Sequence, residues 1–349
     1  MLTSLSNARA QMLSGSRGRL MNIALFVLIA AALVVLATKV VALGPAYFIQ
    51  ILVYGLADGS IYALIALGYT MVYGIVELIN FAHGDVFTLG GFISLFLLPV
   101  FGLNEGQSRG PEIILPLLAI FVISMLICGA VNVTIERVAY RPLRHAPRLA
   151  PLITAVGMSF VLEGLMFLWR GPFNLHYPDV LPANTIALGP SGATIAFKDI
   201  AVVIIAFTLM VSLSLFVERS KLGKAMRATA QDRDAAGLMG IDINRTIAAT
   251  FFIGAILAGA GGMIYGLYFN NLAFDLGFSA GLVAFTAAVF GGIGNIQGAA
   301  IGGLVIGMIQ SLSDGYFDSA WTQVIIFAIL ILVLVFRPTG ILGMRVPEK

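Results

Sequence analysis

The sequence predicts an all-α, polytopic transmembrane helix bundle of eight to ten spans, with ten favoured and at least one helix pair broken by glycine. Three observations carry this. Of the 349 residues, 59% are hydrophobic and 11% charged, with a mean hydropathy of +0.99; a soluble domain carries about 25% charged residues. A soluble fold of this size has too little polar surface here to cover itself. That excludes a cytosolic enzyme, a nucleic-acid binder and a disordered chain. Next, the apolar residues gather into stretches near the roughly 20 residues that cross a bilayer. Finally, about half of the 39 glycines fall within these stretches, where small residues let membrane helices approach closely.

The stretches lie at 23–43, 48–68, 85–101, 113–134, 152–169, 199–217, 246–269 and 321–336. The apolar region 281–316 is interrupted by Gly291-Gly292-Ile293-Gly294-Asn295, so it reads as a pair at 281–292 and 299–316, either two short spans or a re-entrant pair. A basic tail, 1–22, precedes the transmembrane core 23–336, and a short tail, 337–349, follows it. The first stretch follows basic residues as a signal peptide does. Its length and the lack of an A-x-A site favour an uncleaved span.

The positive-inside rule orients the bundle. With the N-terminus inside, Arg9, Arg17 and Arg19, the 137–148 and 219–245 loops and the C-tail place 16 of the 20 basic residues inside. Lys39, Arg109, Arg170 and Lys198 fall near the outer ends. Both termini are therefore expected in the cytoplasm. The 171–198 segment, with Pro172, Pro178, Pro182 and Pro190, is too short for a domain and is expected as an irregular outer cap. No G-x-x-x-x-G-K-[ST] occurs, so no ATP site is expected in this chain. His83, His145 and His176 lack metal-ligand spacing, and no nucleophile constellation stands out. No catalytic residue, metal or cofactor is expected. Cys128 alone forms no internal disulfide.

The inner loop 218–245 is the most informative stretch. Gly223 and Gly240 bracket about 16 good helix formers, enough for two short helices. Leu222, Ala225, Met226 and Thr229 recur at helical spacing, as do Ala235, Leu238 and Met239. Asp232 and Asp234 beside Arg227 and Arg233 mix signs, which suits a protein groove better than an anionic membrane; the alternative is a solvated loop that only sets topology.

Charges inside a bilayer cost at least about 2.5–3.5 kcal/mol, so embedded polar residues need a reason. Asp58 lies mid-span; Glu77, Asn80, His83 and Asp85 surround a break between spans; Glu163 lies in the fifth. They line either a path for a zwitterionic substrate or a helix break with buried hydrogen bonds, with Asp85 a candidate N-cap. Asn295 and Gln297, at the glycine break, join the pathway candidates. Gly294, Gly298 and Gly302, with Gly303 and Gly307, and Ala258, Gly262 and Gly266, recur at four-residue spacing. That pattern fits internal packing or a sliding seam against a second chain.

Asp234-Ala235-Ala236-x-x-x-Gly240 resembles the Glu-Ala-Ala-x-x-x-Gly loop of bacterial ABC importer permeases, with Asp in place of Glu and without the later Ile-x-Leu-Pro (Thr250 and Phe251 stand there). Tyr62 to Ile75 leading into Ile79-Asn80-Phe81-Ala82-His83-Gly84-Asp85 resembles the branched-chain amino acid permease family, LivH-type subunit. So do Glu136-Arg137-Val138-Ala139-Tyr140-Arg141-Pro142-Leu143-Arg144, Leu149-Ala150-Pro151-Leu152-Ile153-Thr154 and Phe290 to Ala299. The resemblance spans about 48–345. It implies a coupling helix seated in an ATPase subunit, with two ATPase subunits binding ATP and Mg. It also implies a second permease, a copy or a paralogue, and a periplasmic substrate-binding protein. Urea and short-amide permeases share much of the pattern. An ion-coupled secondary transporter or a passive urea or ammonia channel are the rival mechanisms.

Overall fold

The computed structural model describes residues 34–343, except 105–109, 145, 148, 183, 189–191 and 338. The 1–22 tail, residues 23–33 of the first expected span, Arg9, Arg17, Arg19, Arg109, His145, Arg148, Pro190, Arg345 and Lys349 lie outside the described residues. Twelve helices follow in order among those described: α1 Val34–Leu43, α2 Pro45–Val76, α3 Ala82–Val100, α4 Ile114–Ile135, α5 Leu149–Arg170, α6 Phe197–Arg219, α7 Lys221–Gln231, α8 Arg233–Leu238, α9 Ile243–Phe269, α10 Leu276–Gly291, α11 Ile296–Tyr316 and α12 Ser319–Phe336. Eight are long and apolar enough to cross a membrane, counting α4 with the π turn Glu136–Tyr140 and the 3-10 turn Arg141–Leu143 that extend it. α1 and α10 are apolar but shorter. The protein is a multi-pass helical membrane protein.

α2 is the central post. It packs against α11, α9, α6 and α10, and from Gly59 to Val72 every residue is buried. A helix apolar on all sides belongs inside such a bundle. It begins with Pro45, pre-set for a first turn. At about 1.5 Å per residue its 32 residues reach some 48 Å, longer than a roughly 30 Å hydrocarbon core. The sequence places the end of this span near residue 68. The helix runs on to Val76 because Tyr69, Thr70 and Tyr73, which break the apolar pattern, are held by protein rather than lipid; Tyr69 and Thr70 are fully buried.

Glycine sets how closely the inner helices meet. A side chain on Gly59 would lie 2.8 Å from the Leu304 Cα, and one on Gly307 would strike the Gly59 backbone. Gly303 likewise abuts the Ala63 backbone, Gly298 and Gly302 face α10, and Gly262 and Gly266 face Phe87 and Tyr177. These spaced glycines thus serve contacts within the chain. Peripheral α4, α5, α6 and α12 instead expose Leu118, Phe160, Phe207 and Ile331, as lipid-facing helices do.

α10 and α11 are separate helices joined by Gly292–Asn295, where Gly292 (φ 112°) and Gly294 (φ 90°) take backbone conformations open to glycine. At the opposite end of the bundle, the expected irregular cap contains short strands. β1 Leu175–His176 pairs antiparallel with β4 Asn271–Leu272, and β2 Thr185–Ala187 with β3 Thr194–Ala196. Tyr177 beside β1 is fully buried and donates to the Ser94 hydroxyl at 3.0 Å.

Candidate coupling platform and buried polar layer

Where α6 ends, the chain turns into two short helices. Ser220 caps α7 by accepting from the Gly223 amide at 2.8 Å. Asp232 caps α8 by accepting from the Asp234 and Ala235 amides at 2.9 and 3.0 Å, and Asp242 caps α9 through the Arg245 amide at 3.0 Å. Short polar side chains here satisfy amides that a helix start leaves unpaired. Gly223, expected to precede the first helix, lies inside the first turn of α7, where a side chain would collide with the Val217 backbone. Gly240 adopts φ 83° and lets the chain reverse after α8.

Two of the four arginines of the loop, Arg227 and Arg233, reach back to the ends of membrane helices. Arg227 donates to the Val217 carbonyl and, at 3.3 Å, to the Glu218 carbonyl, the last turn of α6. Arg233 donates to the Ile75 and Val76 carbonyls at 3.1 and 2.8 Å, the last turn of α2. A cation at a helix C-terminus pairs with orphan carbonyls and with the negative dipole end. The platform is thereby fastened to two membrane helices, one of them the central post.

Its two apolar stripes face opposite ways. Met226 and Thr229 of α7 are buried against the bundle, with Leu222 and Ala225 half-buried. On α8 only Ala236 is buried, while Ala235 and Asp234 are exposed and Leu238 and Met239, the latter at the helix's C-cap, are 89% and 83% exposed. A neighbouring Leu-Met pair bared on a polar loop is a knob without a hole.

Next to this platform Glu136, fully buried, accepts from Arg141 at 2.8 and 3.2 Å and from Arg144. Arg144 also donates to Asn244 at 2.6 Å. Desolvation pulls the Arg144 guanidinium below its ordinary value, while Glu136 pulls the other way. This knot joins the end of α4 to the start of α9. In the sequence a Glu followed by Arg at +5 and +8 signals the charges, but not that they meet.

The other polar residues separate into places. Asn80 accepts from the Tyr140 hydroxyl at 2.6 Å. His83, fully buried, meets Tyr69 edge-on at 4.9 Å. Asp85, also fully buried, accepts from the Ser159 hydroxyl, with Glu163 and Asp275 nearby in the same field. Asp85 makes no N-cap bond; α3 begins three residues earlier, at Ala82. Ser159 lies ten residues into α5, about 15 Å along it, so this carboxylate sits at mid-depth. Asp58 accepts from Ser311 at 3.0 Å elsewhere, in the close contact between α2 and α11. Glu77 is the exposed left-handed residue that ends α2 (φ 56°). Gln297 is exposed, and Asn295 caps α11 through the Gly298 amide at 3.2 Å while donating to the Leu342 carbonyl at 2.8 Å. Tyr140, Ser159 and Ser311 were not singled out from sequence: lone hydroxyls in apolar helices give no signal until their partners are placed.

Residues 51–334 match the family described as branched-chain amino acid transport system, permease component. The chain is 44% identical to the high-affinity branched-chain amino acid transport system permease protein BraD of Pseudomonas aeruginosa, across 87% of this chain and 98% of that protein. It is 42% identical, with the same coverage, to the corresponding LivH permease of Escherichia coli K12. The probable permease LivM of Methanocaldococcus jannaschii is 21% identical over 83% of this chain and 91% of its own. No solved structure matches. The chain belongs to the branched-chain amino acid transport system permease family, as a membrane permease component and not an enzyme.

Proposed function

We propose that this chain is the membrane-spanning permease of an ATP-driven importer that moves branched-chain amino acids across the bacterial inner membrane by alternating access. The observation that carries the proposal is the platform: α8 bares Leu238 and Met239 while Arg233 ties the same helix to the end of α2. A partner that grips the knob therefore pulls on the central post. That partner is an ATPase subunit. Two such subunits bind ATP and Mg, and two platforms require a second permease, a copy or a paralogue. A periplasmic binding protein delivers substrate to the end carrying β1–β4. The basic end faces the cytoplasm, with both termini.

ATP binding closes the ATPases and moves α8 and α7. The motion shifts equilibrium between outward and inward states because the partner binds the two differently; tight binding alone shifts nothing. Asp85 with Ser159 and Glu163, and Asp58 with Ser311, line the path in this reading. Each keeps a carboxylate among hydroxyls, where a substrate ammonium can pass from one to the next.

The test is reconstitution of the permease with its ATPases and binding protein in proteoliposomes. Leucine accumulation should require ATP and persist when ion gradients are collapsed. Accumulation that needs the ion gradient instead would support a secondary transporter. Flux through the chain alone would support a channel, and urea or acetamide displacing leucine from the binding protein would shift the substrate class.

A further inference from the structure

Beside the Glu136 knot, at the basic end of the bundle, lies a groove of about 580 Å³ between the end of α4 and the start of α9. Its two halves differ in character. Arg137, Arg141 and Arg245, with Asp242 and Asn244, make the polar part of its lining, and Val133, Ala249 and Phe252 the apolar part. Nothing in the transport reading uses this space.

The charges do not cancel. Arg137, Arg141, Arg144 and Arg245 face Glu136 and Asp242, so two positive charges are in excess. Arg141 spends its Nε and one terminal nitrogen on Glu136. Arg245 reaches Asp242 at 3.1 Å but is 90% exposed at its side chain. Arg137 is exposed and makes no hydrogen bond or ion pair among the described residues. Guanidinium forks match phosphate oxygens in geometry and charge. The apolar side is built from membrane-spanning helices. It continues into the outward face of α4 and its π turn, where Val138 is 73% exposed and Leu126 and Ile127 lie bare about three turns deeper. A ligand filling both halves carries an anionic head and a hydrocarbon tail.

We propose that this groove is a binding site for an anionic phospholipid, its phosphodiester held by Arg137, Arg141 and Arg245 and an acyl chain laid over Val133, Ala249 and Phe252. An acidic protein segment suits the arginines but not a floor that opens along a lipid-facing helix, so the lipid is the occupant. Bound there, it would brace the junction of α4 and α9 next to the platform.

The test is native mass spectrometry of the full-length chain, delipidated in detergent and titrated with phosphatidylglycerol, with phosphatidylcholine of the same acyl chains, or with inorganic phosphate. Phosphatidylglycerol should be retained about tenfold over phosphatidylcholine, the scale set by one or two arginine contacts. Arg137→Gln with Arg245→Gln should abolish that preference, and Lys at both positions should keep most of it. Ala249→Trp, which leaves every arginine in place, should also weaken retention by filling the floor. Equal retention of the two lipids by the unaltered chain overturns the proposal, as does a preference untouched by the double Gln variant. Displacement of the lipid by phosphate at matched concentration overturns it too, because the tail would then contribute nothing. If the double Gln variant does not fold, the lipid preference of the unaltered chain and the Ala249→Trp result decide. If that variant keeps the lipid but fails to co-purify with an ATPase, the groove belongs to the protein partner and the proposal falls.

Discussion

Single side chains decide whether the platform is attached or merely nearby. Arg233 gives two charge-assisted hydrogen bonds to the last turn of α2; bonds of this kind contribute about 1.5–3 kcal/mol each. Arg233→Ala should leave the chain inserted and folded but should slacken α8 against α2. Arg144→Ala removes one of the two arginines on a fully buried carboxylate. A loss of about 1.5–3 kcal/mol is expected, read as a lower unfolding midpoint in detergent, whereas Arg219→Ala, which makes no hydrogen bond or ion pair among the described residues, should leave the midpoint unchanged. Ser159→Ala strips Asp85 of its hydroxyl partner, and an unsatisfied buried group costs about 1–3 kcal/mol. The same thermal scan reads it, and Ser159→Thr, which keeps the hydroxyl, should recover most of the loss.

At the level of helices, close backbone contact dominates. Gly307→Val puts a branched side chain into the Gly59 backbone, where no flexible side chain can yield. Overpacking of this kind costs about 1–3 kcal/mol or more, and the fraction eluting as a monodisperse species should collapse. Gly164→Ala, with nothing within 4 Å of the added carbon, should elute like the unaltered chain. The contrast shows which parts of the architecture were legible in the sequence. The four-residue glycine spacing announced close helix contacts, but not that Gly303 and Gly307 face α2 rather than another chain. The span ends at Phe269, Tyr316 and Phe336 agree with the apolar pattern. The end of α2 does not, because burial among protein lets Tyr69 and Thr70 continue a helix that lipid would have stopped. The two platform helices were expected from their small, polar and helix-forming residues, and Ser220 and Asp232 are natural caps. The direction of Arg227 and Arg233 was hidden, since it depends on where α6 and α2 end in space. Asn295 sits just before a helix, the usual place for a cap, and capping α11 is what it does.

Across the whole molecule, the account is of a bundle with one stiff post, a lipid-facing jacket and a lever on the outside. α2 meets α11 through glycine, α9 and α10 through small residues and α8 through Arg233. Displacement of α8 therefore reaches the helix that touches most of the core. Leu238→Asp with Met239→Asp places charge on the bare knob and should abolish co-purification of the ATPases while leaving yield and elution unchanged. Gly240→Pro, at a residue with φ 83° that proline cannot adopt, and Asp234→Lys should uncouple ATP hydrolysis from transport without blocking insertion. The central claim is that force passes from α8 to α2 through Arg233. Its most direct measurement is the ratio of leucine accumulated to ATP hydrolysed in proteoliposomes, for the unaltered assembly and for Arg233→Ala. Hydrolysis close to the unaltered rate with accumulation reduced at least severalfold is the predicted result. An unchanged ratio, with the variant fully assembled, would contradict it.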